Sequence, residues 1–168
     1  MQDTILYLVP ALAVFGLIYM FVQSRWVRSQ DTGEEKMSTI AKHIHEGALA
    51  FLSAEYRILA VFVVVAGALL GVVSMLVPTT HWFIVIAFVI GAVFSALAGN
   101  IGMRIATEAN VRTTQAARTG LAHALKVSFT GGMVMGLGVA GLAVFGLSVL
   151  FIFLLNFFAD GVWAGVEN

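Results

Sequence analysis

Residues 99–120 read GNIGMRIATEANVRTTQAARTG, a polar stretch between two strongly apolar runs. Arg104, Arg112, Arg118 and Glu108 give it a density of specific polar groups that a featureless linker would lack, so it is read as folded and in contact with something. Around it the chain is 60% hydrophobic and 11% charged, against a globular norm of roughly 45–50% and 25%. That composition places the protein in a membrane. In hydrocarbon only helices and closed barrels satisfy every backbone group, and the long apolar runs lack the alternation of barrel strands, so the spans are helical. There is no cysteine, which excludes disulfides and thiolate metal sites.

Working outward, four runs approach the roughly 20 residues that cross a bilayer: Ile5–Val22, Leu59–Val77, Trp82–Ala98 and Val127–Phe158. Pro10 falls in the early turns of the first, where it is tolerated. No Lys or Arg precedes that run and no small-residue cleavage site follows it, which argues against a signal peptide. Between spans one and two, Thr32-Gly33-Glu34-Glu35 has the form of a capping box. Met37, Ile40, Ile44, Phe51, Leu52 and Tyr56 then recur at helical spacing. An amphipathic helix is predicted there, running without a break into span two. Pro78-Thr79-Thr80-His81 reads as a tight turn, with Trp82 as an interfacial anchor. The last run is too long for an upright span, so part of it should protrude, tilt or kink at Gly131-Gly132.

Charge sets the orientation. Arg25, Arg28, Lys36, Lys42 and Arg57 lie between spans one and two, and Arg104, Arg112, Arg118 and Lys126 between spans three and four, which accounts for all nine basic residues. The other side holds Asp3, Asp160 and Glu167. By the positive-inside rule both termini are outside, and residues 24–58 and 99–126 are cytoplasmic. The chain is a single multi-pass membrane domain over residues 1–168, with the lipid bilayer as its first partner. Its zero net charge gives no sign of nucleic acid.

Candidate chemistry is sparse. Gly136-Leu-Gly138-Val-Ala-Gly141 matches a dinucleotide fingerprint, but that motif needs a preceding strand, and this one lies in a membrane helix. The pairs Gly132/Gly136 and Gly67/Gly71 and the series Gly91/Ser95/Gly99 are read as helix-packing seams. His43 and His45, two apart on a helix, point in opposing directions and cannot share a metal; a solvated face accounts for them. Glu46 and Glu55 are more simply salt-bridge partners of Lys42 or Arg57 than paired catalytic acids. Arg104, Arg112 and Arg118 have the chemistry of an anion site, yet topology with local pairing to Glu108 explains them as well. No Asp, Glu, Lys, Arg or His stands within the four cores, so this chain by itself should not relay a coupled ion. No catalytic, cofactor or metal residue is assigned.

Two stretches carry a family resemblance. Glu46-Gly47-Ala48, Ala50-Phe51-Leu52 and Glu55-Tyr56 at the mouth of span two resemble the corresponding segment of the membrane-integral pyrophosphatases. So do Gly102-Met103, Ala106-Thr107, Ala109-Asn110 and Arg112-Thr113 after span three. The resemblance implies the first four helices of a sixteen-helix fold, in a homodimeric pump of the prokaryotic plasma or inner membrane. Such a pump hydrolyses pyrophosphate with magnesium, in some members activated by potassium, and moves protons or sodium ions. The family's catalytic Asp-rich segment, with its DxxxD, has no counterpart here, because the only aspartates are Asp3, Asp31 and Asp160. By analogy these helices belong to the outer ring that braces the catalytic core and the remaining helices of the parent. The chain is then read as the N-terminal part of such a pump, inactive alone. The competing reading is a free-standing four-span membrane protein with a structural role.

Overall fold

The computed structural model describes residues 2–77 and 80–159. Four helices make up the fold: α1 (Gln2–Arg28), α2 (Glu35–Leu76), α3 (Phe83–Thr119) and α4 (Leu121–Ala159). Each contains a stretch long and apolar enough to cross a membrane. Pro10 sits inside α1 without ending it. The turn at Pro78-Thr79 and the tail bearing Asp160 and Glu167 fall outside the described residues.

The helices are much longer than their spans. At 1.5 Å per residue, the 42 residues of α2 reach about 63 Å, twice the roughly 30 Å of hydrocarbon. α2 joins an amphipathic polar-side half to its span without a break, as the spacing of Met37 to Tyr56 predicts. α3 does the same in reverse, so the stretch 99–120 is helix as far as Thr119. One residue, Gly120, then separates α3 from α4; its φ of 151° belongs to a region that side chains disfavour, which suits glycine to this reversal.

In space the helices stand in the order α1, α4, α3, α2. α3 and α4 form the central pair, α1 packs on α4, and α2 packs on α3. Among the described residues α1 and α2 do not touch, although they are consecutive in sequence. Neighbours run antiparallel: Phe83 meets Phe153 at one end of α3 and α4, and Ala109 faces Gly131 towards the other. The innermost side chains are Val27, Ile105, Val127 and Val134, which belong to the polar end and not to the membrane centre. Trp26 links their two clusters. Further into the spans most large apolar side chains stay exposed, Phe15, Phe62 and Val64 among them, because lipid solvates them as well as protein would.

Two expectations are corrected. The capping box does not form: Glu34 is the N-cap of α2 and makes no side-chain cap bond. Thr32 accepts instead from the Ser38 hydroxyl at 3.0 Å. The Glu34 carboxylate is taken up by Arg118 of α3, at 2.6 Å, and not by the backbone of α2. The glycine seam of α4 lies on another face than its spacing implied. Gly132 and Gly136 look into open space, whereas Gly131 abuts Ala109, Gly138 faces Ile101, Gly141 lies under Leu17 of α1 and Gly146 under Phe94. α4 runs unbroken through Gly131-Gly132.

Candidate functional site

The densest polar chemistry lies where α3 passes beneath the α1–α2 connection. Glu108, Arg112, Gln115 and Arg118 recur at four, three and three residues, which aligns them along one side of a helix. Each grips residues 28–34. Glu108 pairs with Arg28 at 2.7 Å. Arg112 donates to three carbonyls, those of Glu108 (2.7 Å), Arg28 (3.1 Å) and Gln30 (3.2 Å). The Gln115 amide donates to Asp31 at 2.9 Å, and Arg118 reaches Glu34 at 2.6 Å.

Helix geometry explains the choice of the Arg28 carbonyl. The last carbonyls of α1 have no intrahelical donors and carry the negative end of its dipole, so a guanidinium fork satisfies them better than any neutral group. Burial lowers the pKa of Arg112, with Arg28 adding to the shift and Glu108 opposing it; the group remains a cation at neutral pH. The Asp31 carboxyl is held below its ordinary 3.8, first by the backbone N–H of Gly33, then by Gln115 and the N–H of Thr32. Gly33 is needed there: its φ is 81°, and a methyl group would come within 2.7 Å of the Gln115 side chain.

The other singled-out residues divide. Glu46 pairs with Lys42 at 3.9 Å and with His43 at 3.7 Å, as expected of surface charges. Arg104 bonds Asn100 at 2.7 Å. The expectation that these arginines pair with Glu108 side chains is met by Arg28 instead, while Arg112 takes the Glu108 carbonyl. His45 is not on a solvated face: it is half-buried and lies 2.7 Å from the Thr107 hydroxyl, joining α2 to α3. Tyr56 ties the same helices by donating to the Ala96 carbonyl at 2.6 Å. Ser74 and Ser148 bond backbone carbonyls of their own helices. Trp26, with Lys126 over its ring at 5.2 Å, was passed over in the sequence; its place just inside a basic flank was the available signal.

Residues of the second resembling stretch form this end of the molecule. Gly102 lies under Met135, Thr107 meets His45, Ala109 abuts Gly131, and Arg112 holds the connection. A family model described as inorganic H+ pyrophosphatase matches residues 14–164. The chain belongs to this family. It is 42% identical over 130 residues to a K(+)-insensitive pyrophosphate-energized proton pump of Pyrobaculum aerophilum, covering 77% of this chain and 18% of that protein. A K(+)-stimulated pyrophosphate-energized sodium pump of Thermotoga maritima is 40% identical over 139 residues, or 81% of this chain and 18% of the relative. K(+)-insensitive pyrophosphate-energized proton pump 2 of Moorella thermoacetica is 39% identical over 132 residues, 79% and 19% of the two chains. The chain thus spans about a fifth of the length of these relatives.

Magnesium, which the family resemblance implies, does not fit the donors described. Glu34, Asp31, Glu46 and Glu108 are engaged by Arg118, Gln115, Lys42 and Arg28 respectively. Among the described residues no three His, Asp or Glu side chains converge as a metal cage requires.

Proposed function

We propose that this chain is the N-terminal scaffold of a pyrophosphate-energised proton or sodium pump in a prokaryotic plasma membrane. The observation that carries the reading is the use of its polar side chains. Glu108, Arg112 and Arg118 of α3 are spent on fastening α1 and the start of α2 to the central pair, not on a convergent anion or metal site. Pyrophosphate hydrolysis needs carboxylates gathered on magnesium and cations around the leaving phosphate, and the remaining helices of the parent would supply both. The assembled pump would be a homodimer using magnesium, with potassium activating it if it follows the relatives named K(+)-stimulated.

The test is reconstitution of the 168-residue chain in liposomes, alone and co-expressed with the part of the Thermotoga maritima relative that it does not match. Alone it should give no magnesium-dependent pyrophosphate hydrolysis. Together the two parts should co-purify and hydrolyse pyrophosphate. Turnover by the chain alone would refute the scaffold role, and failure to co-purify would favour the free-standing membrane protein.

A further inference from the structure

Two cations at the polar end of α1 and α4 are left out of the fastening. Among the described residues Arg25 and Lys126 have neither an ion pair nor a side-chain hydrogen bond. Each lies over an aromatic ring instead, Arg25 at 4.6 Å from the centre of Phe21 and Lys126 at 5.2 Å from that of Trp26. Neither contact uses an N–H donor. No carboxylate of these helices is available to them: α4 has no acidic residue, α1 has only Asp3 at its opposite end, and the single acid of α3, Glu108, is taken by Arg28. The acids of α2 stand on a helix that, among the described residues, touches neither α1 nor α4. Asp31 and Glu34 of the connection are held by Gln115 and Arg118.

Helix packing gives the depth of these cations. Roughly 20 residues cross the hydrocarbon, so a span that begins at Phe83 ends at Gly102, which lies under Met135 of α4. Met135 is six residues from Gly141, which lies under Leu17 of α1, and the same step along the antiparallel α1 leads from Leu17 to Gln23. α1 therefore leaves the hydrocarbon near Gln23, and Arg25 stands about 3 Å beyond it, in the headgroup layer. The Lys126 backbone is further out, but its Nζ comes down to the Trp26 ring. On the side of α1 that bears Arg25, Phe21, Ile18 and Val14 follow into the span at steps of four, three and four, and all are exposed. Phe129, one turn further in than Lys126, is 72% exposed.

We infer that the α1–α4 face around Trp26 is a binding site for an anionic phospholipid, its headgroup on Arg25 and Lys126 and an acyl chain along Phe21, Ile18 and Val14. Two cations without carboxylates leave a positive charge that an anionic headgroup neutralises. A choline or ethanolamine headgroup brings a cation of its own and neutralises it less well. The guanidinium fork of Arg25 suits phosphate oxygens. A soluble phosphate would meet the same two cations, yet it makes no use of the apolar side chains beneath them. The inference rests on the membrane placement of the four helices and not on the scaffold reading.

Trp26 is the reporter. With Trp82→Phe and Trp163→Phe in the full chain it is the only tryptophan, and lipids brominated on their acyl chains quench its fluorescence. The protein is placed in phosphatidylcholine liposomes containing either brominated phosphatidylglycerol or brominated phosphatidylcholine. Phosphatidylglycerol should be preferred at Trp26 by about fivefold for each cation its headgroup reaches. Arg25→Gln with Lys126→Gln should abolish the preference, and Arg25→Lys with Lys126→Arg, which keeps both charges, should retain it. Lys36→Gln, which removes an equal charge from the start of α2, should leave it unchanged. Equal quenching by the two lipids in the Trp26-only chain would overturn the inference. So would a preference that survives the double glutamine change, disappears in the charge-conserving pair or falls as much in Lys36→Gln. If inorganic phosphate removes the preference where chloride at equal ionic strength does not, the site takes a soluble anion and not a lipid.

Discussion

Arg112 closes the C-terminus of α1 from a different helix, and its three carbonyl partners make it the most connected side chain of the polar end. Charge-assisted bonds of this kind contribute roughly 1.5–3 kcal/mol when buried, and partial solvent exposure brings the figure here to about 1–2 kcal/mol. Arg112→Ala should therefore lower thermal stability in detergent and speed thiol labelling of a cysteine at Ser29. Arg112→Lys should recover only part of the loss, since a single ammonium cannot span three carbonyls. Asp31 adds a pH-dependent element. Its folded pKa lies below the ordinary 3.8, so its contribution is complete above that value and disappears as pH falls through the folded pKa. The melting temperature of Asp31→Asn should be lower than wild type near neutrality, and the two should converge in strong acid. The arginines' sidedness was legible in the sequence; their partners were not. Carbonyls are everywhere along a chain, and only the approach of α3 to residues 28–34 adds those of Arg28 and Gln30 to the Glu108 carbonyl that Arg112 finds in its own helix.

At the level of elements, α4 shows why spacing alone selects the wrong face. It is apolar all round, so glycines four apart on one side look no different from those on another. Contact decides: a methyl at Gly131 would stand 2.8 Å from the Ala109 methyl, and one at Gly132 would meet nothing. Carbon atoms prefer roughly 3.5–4 Å, so Gly131→Ala should push α3 and α4 apart at a cost of about 1–3 kcal/mol. Gly132→Ala has the same helix-propensity gain without the clash and should stabilise by about 0.5–1 kcal/mol. Denaturation of the two variants in one detergent compares them directly, and equal stability would contradict the observed packing. The length of α2 was legible because Met37 to Tyr56 keep helical spacing up to the span. Which of its apolar side chains are buried was not, since Ile44 and Leu52 are equally apolar and only the packing of α3 buries Leu52 and leaves Ile44 exposed.

For the whole molecule, the asymmetry of charge predicts which ends share a side of the membrane. Cysteines at Ser29 and His81 should label from opposite sides, and labelling from the same side would refute the topology. The sequence by itself determined that the protein is a four-span helical membrane protein of the pyrophosphatase family. Apolar run length, basic-residue placement and the two resembling stretches are local properties of the chain, and each can be read without knowing what touches what. The tertiary structure decided the order α1, α4, α3, α2, the burial of Val27 and Ile105 at the polar end, and the role of residues 99–120. Those depend on which helix faces meet, and in a chain whose spans are apolar on every side, hydropathy does not distinguish one face from another. The stretch GNIGMRIATEANVRTTQAARTG buries Ile105 on one side, turns Glu108, Arg112, Gln115 and Arg118 to residues 28–34, and so binds together two helices that do not touch each other.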